Sequence, residues 1–561
     1  MKFWKRVMAA LTAGLLCISI APVVQTAQPE MKITASAETD DGFKYGVMFS
    51  GTIAITQCIS NATELEVPAE IDGLAVTAIN NVAFEYCRNL TSVIIPDSIT
   101  RIERNAFKNT PLLNEQTGVK YADTWVIDCD TDVTDAEFKA GTRGIANEAF
   151  QDCTNLTSVV IPDGVTSIGK SAFAGCESLV SVIIPDSVTY IGEDAFSGTP
   201  LLNNQTGIKY ADTWAIGCDG DVTDAALKDG TKGVAGRAFY KNTSLTTVTI
   251  PDSVVGISSS AFYDCDNLEA VYITDLAAWC RMNISSYDSS PLYYAEKLYL
   301  NDNLVTELTI PGSITSIKNS TFSGCKSLTA VTIPNSVTNI GSFAFLSCSN
   351  LADVSIPDSV TSIGHYAFNG CRRLTKVEIP DSVTYIGDTA FAYNTRLTTI
   401  TIPDGITSLK DYTFDACASL TSITIPKSVT SVEKCAFYGC NALTDVYYDG
   451  TKETWDAISV ANSNQALTSA TIHFADGTVQ EGYLLGDTDS NTIIDANDAY
   501  LCLLAYAKMS VNQDSGLTDA QIKAADIDND SSVTANDAYY ILVYYAKKSV
   551  GQDVTWEEVL R

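Results

Sequence analysis

The sequence predicts an α/β solenoid, a rod of stacked coils with short parallel strands, followed by a small all-α unit. Two observations predict the rod. The stretch from Cys325 to Phe345, CKSLTAVTIPNSVTNIGSFAF, returns as CSNLADVSIPDSVTSIGHYAF from Cys348 and as CRRLTKVEIPDSVTYIGDTAF from Cys371. Pro311, Pro334, Pro357, Pro380, Pro403 and Pro426 also fall at a constant interval of 23 residues. A fixed period of that size marks units that stack on one another. A third observation predicts the all-α unit: two acidic segments, 39 residues apart and beginning at Asp487 and Asp526, each run into a helical pattern.

Each part of one coil has a physical role. Leu328, Val331 and Ile333 stand as L-x-x-V-x-I. Residues two apart on a strand point to one side, so Val331 and Ile333 face inward together, with Leu328 entering from the preceding turn. Pro334 has no amide hydrogen and ends the strand's pairing. Asn335-Ser336, or Asp358-Ser359 in the next copy, supplies turn chemistry. A second extended piece, Val337 to Ile340, brings in two more branched residues. Gly341 is expected to permit a tight corner. Ala344-Phe345 closes the coil. One coil cannot bury this apolar set alone, whereas stacked coils cover each other's faces. Phe recurs at this position thirteen times, from Phe84 to Phe437. Thirteen parallel-paired coils predict a stacked core on the order of 60 Å long.

The chain has 561 residues, enough for more than one domain, and a formal charge of −32. That charge excludes DNA and RNA as favoured partners, because phosphates are repelled. A hydrophobic content of 46% excludes a disordered chain.

In chain order, Lys2, Lys5 and Arg6 precede an apolar run from Val7 to Val24, and Ala35-Ser36-Ala37 is a small-x-small site. Residues 1–37 therefore read as a secretory signal peptide cut after Ala37. The alternative, an uncleaved anchor, is disfavoured by Thr12, Ser19 and Pro22 within the run. No other stretch is long enough to cross a bilayer. The expected mature protein is secreted and extracellular, with no membrane insertion. Residues 38–480 form the solenoid with its caps and three insertions. Asp40 to Ile71 reads as a β-rich N-terminal cap, and VPAEIDGLAVTAI (67–79) as a degenerate first coil. Two coils carry the same insertion, beginning PLLNEQTGVKYADTWVIDCD at Pro111 and PLLNNQTGIKYADTWAIGCD at Pro200. Tyr121 with Trp125, and Tyr210 with Trp214, either offer aromatic faces to a sugar or cover the flank of the rod. A third insertion, Asp275 to Asn303, carries Trp279 and four tyrosines, Tyr287, Tyr293, Tyr294 and Tyr299. Residues 449–480, with Trp455 and Ile458, read as the C-terminal cap.

Sixteen cysteines in an exported chain ordinarily suggest disulfides. Here nine of them stand three residues after the repeat Phe, where other coils place Thr110, Thr199, Asn242 or Asn394. A position that accepts Cys, Thr or Asn is small and partly polar. One cysteine per coil makes a ladder of buried free thiols; the alternative is a few disulfides between adjacent coils.

The I-P-x-S-V-T-x-I-G-x-x-A-F pattern and its period, over residues 40–475, resemble the BspA-like leucine-rich repeats of bacterial surface proteins. The resemblance implies a leucine-rich-repeat rod engaged in surface binding or adhesion, and it prescribes no catalytic residues.

Residues 481–561 change character. Asp487, Asp489, Asn491, Asp495 and Asp498 occupy positions 1, 3, 5, 9 and 12 of one loop, and Asp526, Asp528, Asp530, Thr534 and Asp537 those of another. Ile493 and Ser532, at position 7, supply backbone carbonyls. Alternating oxygen ligands that end in a carboxylate suit Ca2+, one ion per loop. Two such charges about 4 Å apart repel by ~4 kcal/mol at an effective dielectric near 20, so the loops need a divalent cation to close. Helices are predicted over Ala496 to Ala507 and Ala535 to Lys547, and no clear helix precedes either loop. With Asp rather than Glu at position 12, residues 484–561 resemble a type I dockerin, the module that plugs proteins into cellulosome scaffoldins by binding a cohesin. The resemblance implies cohesin contacts at positions 10 and 11, here Ala496-Asn497 and Ala535-Asn536. Their identity in the two halves permits two binding orientations. Thr492 and Ser531 depart from the family's Gly at position 6; if a left-handed residue is needed there, each costs ~1 kcal/mol and weakens calcium binding. Tyr483 and Trp556 are candidates to stack and clasp the module's ends.

Dockerins mostly carry carbohydrate-active enzymes, so a glycoside hydrolase is the catalytic alternative. It requires two carboxyls across a cleft. The outward strand positions are instead Ala330 and Thr332, Asp353 and Ser355, Thr399 and Thr401, and Ser422 and Thr424, with only Lys376 and Glu378 fully charged. The two histidines, His365 and His473, are too few and too far apart in sequence for a histidine-dependent triad or a zinc site, and His365 is expected to be exposed. The sequence thus points to a secreted, non-enzymatic solenoid, surface-associated through a cellulosome-type scaffold, whose repeats meet an unidentified polysaccharide or protein. A cell-surface adhesin is the second reading.

Overall fold

The structure, a computed structural model, describes residues 33–38, 42–48, 52–480, 482–491, 493–552 and 554–560. Most of the expected leader lies outside these residues. Its end does not: Ile33–Glu38 is a strand antiparallel to Phe43–Met48, with Ala37 opposite Tyr45. Among the described residues no helix is long and apolar enough to cross a membrane.

The chain is a solenoid of repeated parallel strands. Phe43–Met48 and Ile53–Cys58 form the antiparallel cap. The degenerate first coil is present, with Glu64–Glu66 parallel to Ser92–Ile94 and Leu74–Ile79 parallel to Arg101–Ile102. Each later coil contributes two strands to two ladders. Ala330–Thr332 pairs in register with Asp353–Ser355, and Asn339–Ile340 with Ser362–Ile363. Val331, Ile333, Val337, Ile340, Ala344 and Phe345 are all buried, as the alternation requires. The Phe rings stack along the axis, with centroids 5.3 Å apart for Phe345–Phe368 and 5.6 Å for Phe368–Phe391.

The corner of the coil differs from expectation. Gly341 does not have a positive φ. It is glycine because the coils approach closely there: an added Cβ would lie 2.8 Å from the Ile317 carbonyl oxygen, and at Gly364 and Gly387 it would lie 2.5 Å from the backbone nitrogens of Ser342 and His365. The left-handed residue stands two before every repeat Phe, as in Phe343 (φ 60°), Tyr366 (φ 56°), Thr389 (φ 61°) and Tyr412 (φ 57°). Side chains at such a φ are strained, on the order of 1–2 kcal/mol each. The strain aligns alternate amides along the axis. Phe343, Phe345 and Ser347 donate to the carbonyls of His365, Ala367 and Asn369 on the next coil, at 2.7–2.8 Å.

All described cysteines are free, and all but Cys218 are buried. The thiols of Cys348, Cys371, Cys417 and Cys440 donate to the carbonyls of Phe322, Phe345, Phe391 and Phe414, each on a preceding coil, at 3.1–3.3 Å. The Asn394 amide donates to Phe368 in the same way, at 3.1 Å. The position therefore selects a short hydrogen-bond donor. Burial pushes the Cys265 thiol up to about 12, which keeps its proton in place.

The paired insertions each form a short helix, Pro111–Asn114 or Pro200–Asn203, and a hairpin, Val119–Ala122 with Trp125–Cys129 or Ile208–Ala211 with Trp214–Cys218. Tyr121, Trp125, Tyr210 and Trp214 are buried, so these aromatics cover the flank and offer no face to a sugar. Trp125 lies flat on Gly144, where a Cβ would come within 2.5 Å of the ring. In the third insertion Trp279 is buried and donates to Thr321 at 3.0 Å. At the C-terminal end Thr471–Phe474 extends the ladder beyond Asp445–Tyr448, and Trp455 packs edge-on to Tyr448.

The tail is all-α, with helices Ala496–Met509, Asp519–Ala525, Ala535–Ser549 and Trp556–Leu560. The helix Asp519–Ala525 corrects the expectation that none precedes the second loop. It starts at a capping box between Thr518 and Gln521.

Replacing Gly364 with Ala should lower stability in chemical denaturation by roughly 1–3 kcal/mol, because the added methyl meets fixed backbone. Gly312→Ala, with open space around it, should be near neutral. Cys371→Val should cost about 1–3 kcal/mol by stripping the Phe345 carbonyl of a donor, and Cys371→Asn less.

Candidate functional site

Two places gather chemistry: the acidic loops of the tail and a groove on the solenoid.

In the first loop, carboxylate oxygens of Asp487, Asp489 and Asp498 converge within 4.8 Å of one another; in the second, those of Asp526, Asp528 and Asp530 do so. Asp487 and Asp498 are buried, which is costly for charged groups without a counter-charge. Burial holds the Asp498 carboxyl above the usual range, opposed by the amides of Asp495 and Asp489, which donate to it, and reinforced by the neighbouring Asp489 and Asp487 charges. Burial likewise raises Asp526 and Asp528. Asp537 is not in the second cluster. It is buried, and its oxygens accept from the amides of Ile527 and Thr534, both at 2.8 Å. Asp495 and Thr534 cap the two loop helices through the amides of Asn497 and Asn536. The Asn491 side-chain oxygen accepts from the Ile493 amide at 2.7 Å, and the Ser532 amide donates to Asp530 at 2.8 Å. Ser531 is left-handed, with φ 68°, as position 6 requires; Thr492 lies outside the described residues.

Ala496, Asn497, Ala535 and Asn536 are all exposed at the helix starts. The sequence reading missed the surface that continues from them. Tyr500, Leu503 and Tyr506 are exposed on one helix, and Tyr539, Leu542 and Tyr545, 39 residues later, on the other. The signal was present as apolar residues repeated off the buried stripe of Ala499 and Cys502. Trp556 does not clasp Tyr483. It stacks on Tyr544, with centroids 4.1 Å apart, while the Tyr483 amide donates to Thr468 in the solenoid.

The groove has a volume of about 1370 Å³ and is lined from Met48 and Thr52 near the N-terminal end of the solenoid to Tyr412 and Asp415 in one of its C-terminal coils. Tyr287 and Tyr293 of the third insertion line it, as do the left-handed aromatics Phe343, Tyr366 and Tyr412. The outward strand face, by contrast, is as read from the sequence in the C-terminal coils: Thr332, Asp353, Ser355, Thr399 and Thr401 are exposed, and Lys376 pairs with Glu378 at 2.5 Å. In the N-terminal coils the same face exposes Ile94, Val160 and Ile183. His365 is not simply exposed; its ring accepts from the Asp388 amide and bonds Tyr385, both at 3.1 Å. His473 pairs with Asp445 at 2.7 Å.

The repeat region matches the family model described as BspA type Leucine rich repeat region in six copies, over residues 56–117, 77–203, 215–279, 295–417 and 361–474. No curated protein matches the chain. Among solved structures it is similar to a leucine-rich cell surface protein from Faecalibacterium prausnitzii, at 24% identity over 76% of this chain and 98% of that one (TM-score 0.27). It is similar to a leucine-rich repeat protein from Bacteroides ovatus, at 22% identity over 81% and 100% (TM-score 0.32). It is also similar to the pneumococcal vaccine antigen PcpA, at 19% identity over 77% and 98% (TM-score 0.31).

Asp415 gives the groove a pH signature. Burial raises its carboxyl above the usual carboxylate range, to about 6, opposed by a hydrogen bond from Tyr393. Between about pH 4 and 6 the folded chain binds more protons than the unfolded one, so stability falls as pH rises through this window. Asp415→Asn should remove that slope. It should stabilise the solenoid at pH 7 by about 2 kcal/mol and leave it unchanged at pH 3.5, as read from denaturation midpoints at the two pH values.

Proposed function

This chain belongs to the BspA-type leucine-rich repeat family, and from that premise we propose that it is a secreted, non-catalytic binding protein whose tail, carrying two calcium ions, fastens it to a cohesin of a cellulosome-type scaffold. The observation that carries the proposal is the doubling of the tail. Two loops each gather three carboxylates, and two helices expose the same face. The donor chemistry fits a hard cation: Asp487, Asp489 and Asp498 in one loop, and Asp526, Asp528 and Asp530 in the other, are oxygen ligands. Asn491, Asp495, Asp537, Thr534 and the carbonyls of Ile493 and Ser532 complete the expected sets. Calcium supplies the positive charge that lets these carboxylates lie together. The chain's own part is to fix the two helix starts, so that Ala496-Asn497 with Tyr500 and Leu503, or Ala535-Asn536 with Tyr539 and Leu542, are presented to a partner. Aromatic and aliphatic side chains at a rigid surface of this kind are what anchor protein interfaces. The solenoid then holds its own ligand-binding surfaces near the scaffold. Membership of the repeat family also supports the second reading, attachment to a cell surface, in which the same tail holds an adhesin.

Calorimetric titration of the full chain with a panel of cohesins, in calcium and in chelator, tests this. Tight binding in calcium and none in chelator is expected; no binding to any cohesin overturns it. If the two faces are equivalent, substituting Tyr500 and Leu503 alone, or Tyr539 and Leu542 alone, should leave binding nearly intact, and changing all four should abolish it. Ser531→Gly should tighten calcium binding roughly fivefold, the equivalent of about 1 kcal/mol of relieved backbone strain.

A further inference from the structure

The groove has a chemistry that the outward faces lack. Among its described lining residues only Arg101 and Asp415 carry charge, and Arg101 is paired with Glu103 at 3.2 Å. The rest is dominated by hydroxyls, side-chain amides and aromatic rings. The aromatics form a row. Tyr287 to Phe343 is 5.3 Å between centroids, and Phe343 to Tyr366 is 5.0 Å with the rings nearly parallel. Tyr412 follows two coils on.

Their backbone makes the row informative. Phe343, Tyr366 and Tyr412 occupy the left-handed position that other coils fill with Asn105, Ser171, Asp194 or Ser260. A bulky aromatic is an unfavourable choice there, and it recurs where the groove lies. The same position holds Val82, Glu148, Arg237 and Cys435 in other coils, so the strain is common to the rod, and what marks the groove is the choice of aromatic side chains. Hydroxyls also recur once per coil along the wall, as Thr77 and Thr100 and again as Thr166 and Thr189.

We propose that this groove binds a neutral glycan chain laid along the stacking axis. The inference rests on the solenoid being a binding domain and names the ligand class. Hydroxyls and rings that recur at whole-coil spacings suit a polymer of repeated units, each about as long as one coil step. A peptide, whose side chains vary, gains nothing from that regularity. Peptide recognition also draws on charged clusters, and the described groove lining carries only Arg101 and Asp415. Charge excludes the acidic glycans: the groove offers no unpaired cation, and the whole chain is at −32. Rings and hydroxyls are the groups that orient a neutral ligand in a mostly preformed cleft.

The test is affinity electrophoresis and calorimetry of the full-length protein with mixed-linkage β-glucan, arabinoxylan and galactomannan, with polygalacturonate as the charged counterpart. At least one neutral glycan should bind and polygalacturonate should not. Tyr366→Ala and Tyr412→Ala should each weaken binding about tenfold, the scale of one lost aromatic contact. Tyr86→Ala, exposed away from the groove, should change nothing. Asn369→Trp, which narrows the groove without removing a ring, should block binding even if an alanine variant fails to fold. Absence of binding by every neutral glycan, binding that survives all the groove variants, or a peptide ligand that requires Tyr366 would overturn the proposal. Cohesin binding measured on the same preparation separates the outcomes: its retention without glycan binding removes the groove assignment and leaves the tail's role standing.

Discussion

The solenoid depends on one recurring demand: the backbone of each closing turn must be satisfied by the neighbouring coil. Three amides per turn point forward along the axis, and the Phe carbonyl is met by a thiol or amide on the following coil. Left-handed residues make this possible, and their strain is offset by the hydrogen bonds they align. The two coils that lead into the paired insertions handle the same carbonyl differently. Thr110 and Thr199 donate back to Phe107 and Phe196 of their own coil, at 2.6 and 2.7 Å. Pro then opens a short helix at the next residue. The residue that closes the turn is thus also the place where the rod admits extra chain.

The tail meets a similar demand with charge. Asp498 and Asp537 are fully buried, yet each accepts backbone amides from its own loop and helix start. One side chain therefore ties loop to helix. Trp556 closes the two ends, lying on Gly486, where a Cβ would come within 2.5 Å of its ring, and stacking on Tyr544.

What repeats was legible in the sequence, because each copy checks the last: the inward Val, Ile and Phe positions, the free-thiol ladder and the two acidic loops. What depends on a neighbouring coil was not. Gly341 was read as a turn residue because its crowding comes from Ile317, a coil away. The left-handed position hid behind variety, since Val82 and Thr389 occupy it as well as Asn105. The groove joins Thr52 to Tyr412 across many coils, which no local pattern encodes. Whether Trp125 and Trp214 face a sugar or cover the flank is decided by the glycines beneath them, Gly144 and Gly233. The helix before the second loop has a sequence signal in its Thr518–Gln521 box, but it is only seven residues long.

The apolar core is in two stretches that meet at the second insertion, and the Phe stack is broken there, between Phe196 and Phe239. In a molecule whose coils touch only their neighbours, this matters under mechanical load. Were the chain anchored by its C-terminal tail as proposed, tension would reach the solenoid from its last coil. It therefore meets one coil's hydrogen bonds at a time rather than the whole core at once. Each coil that peels away frees 23 residues, roughly 80 Å of slack when extended. The C-terminal stretch would pay out first, while the N-terminal one, beyond the break, stays folded. A solenoid anchored in that way would yield by lengthening and keep its far end intact while it did so.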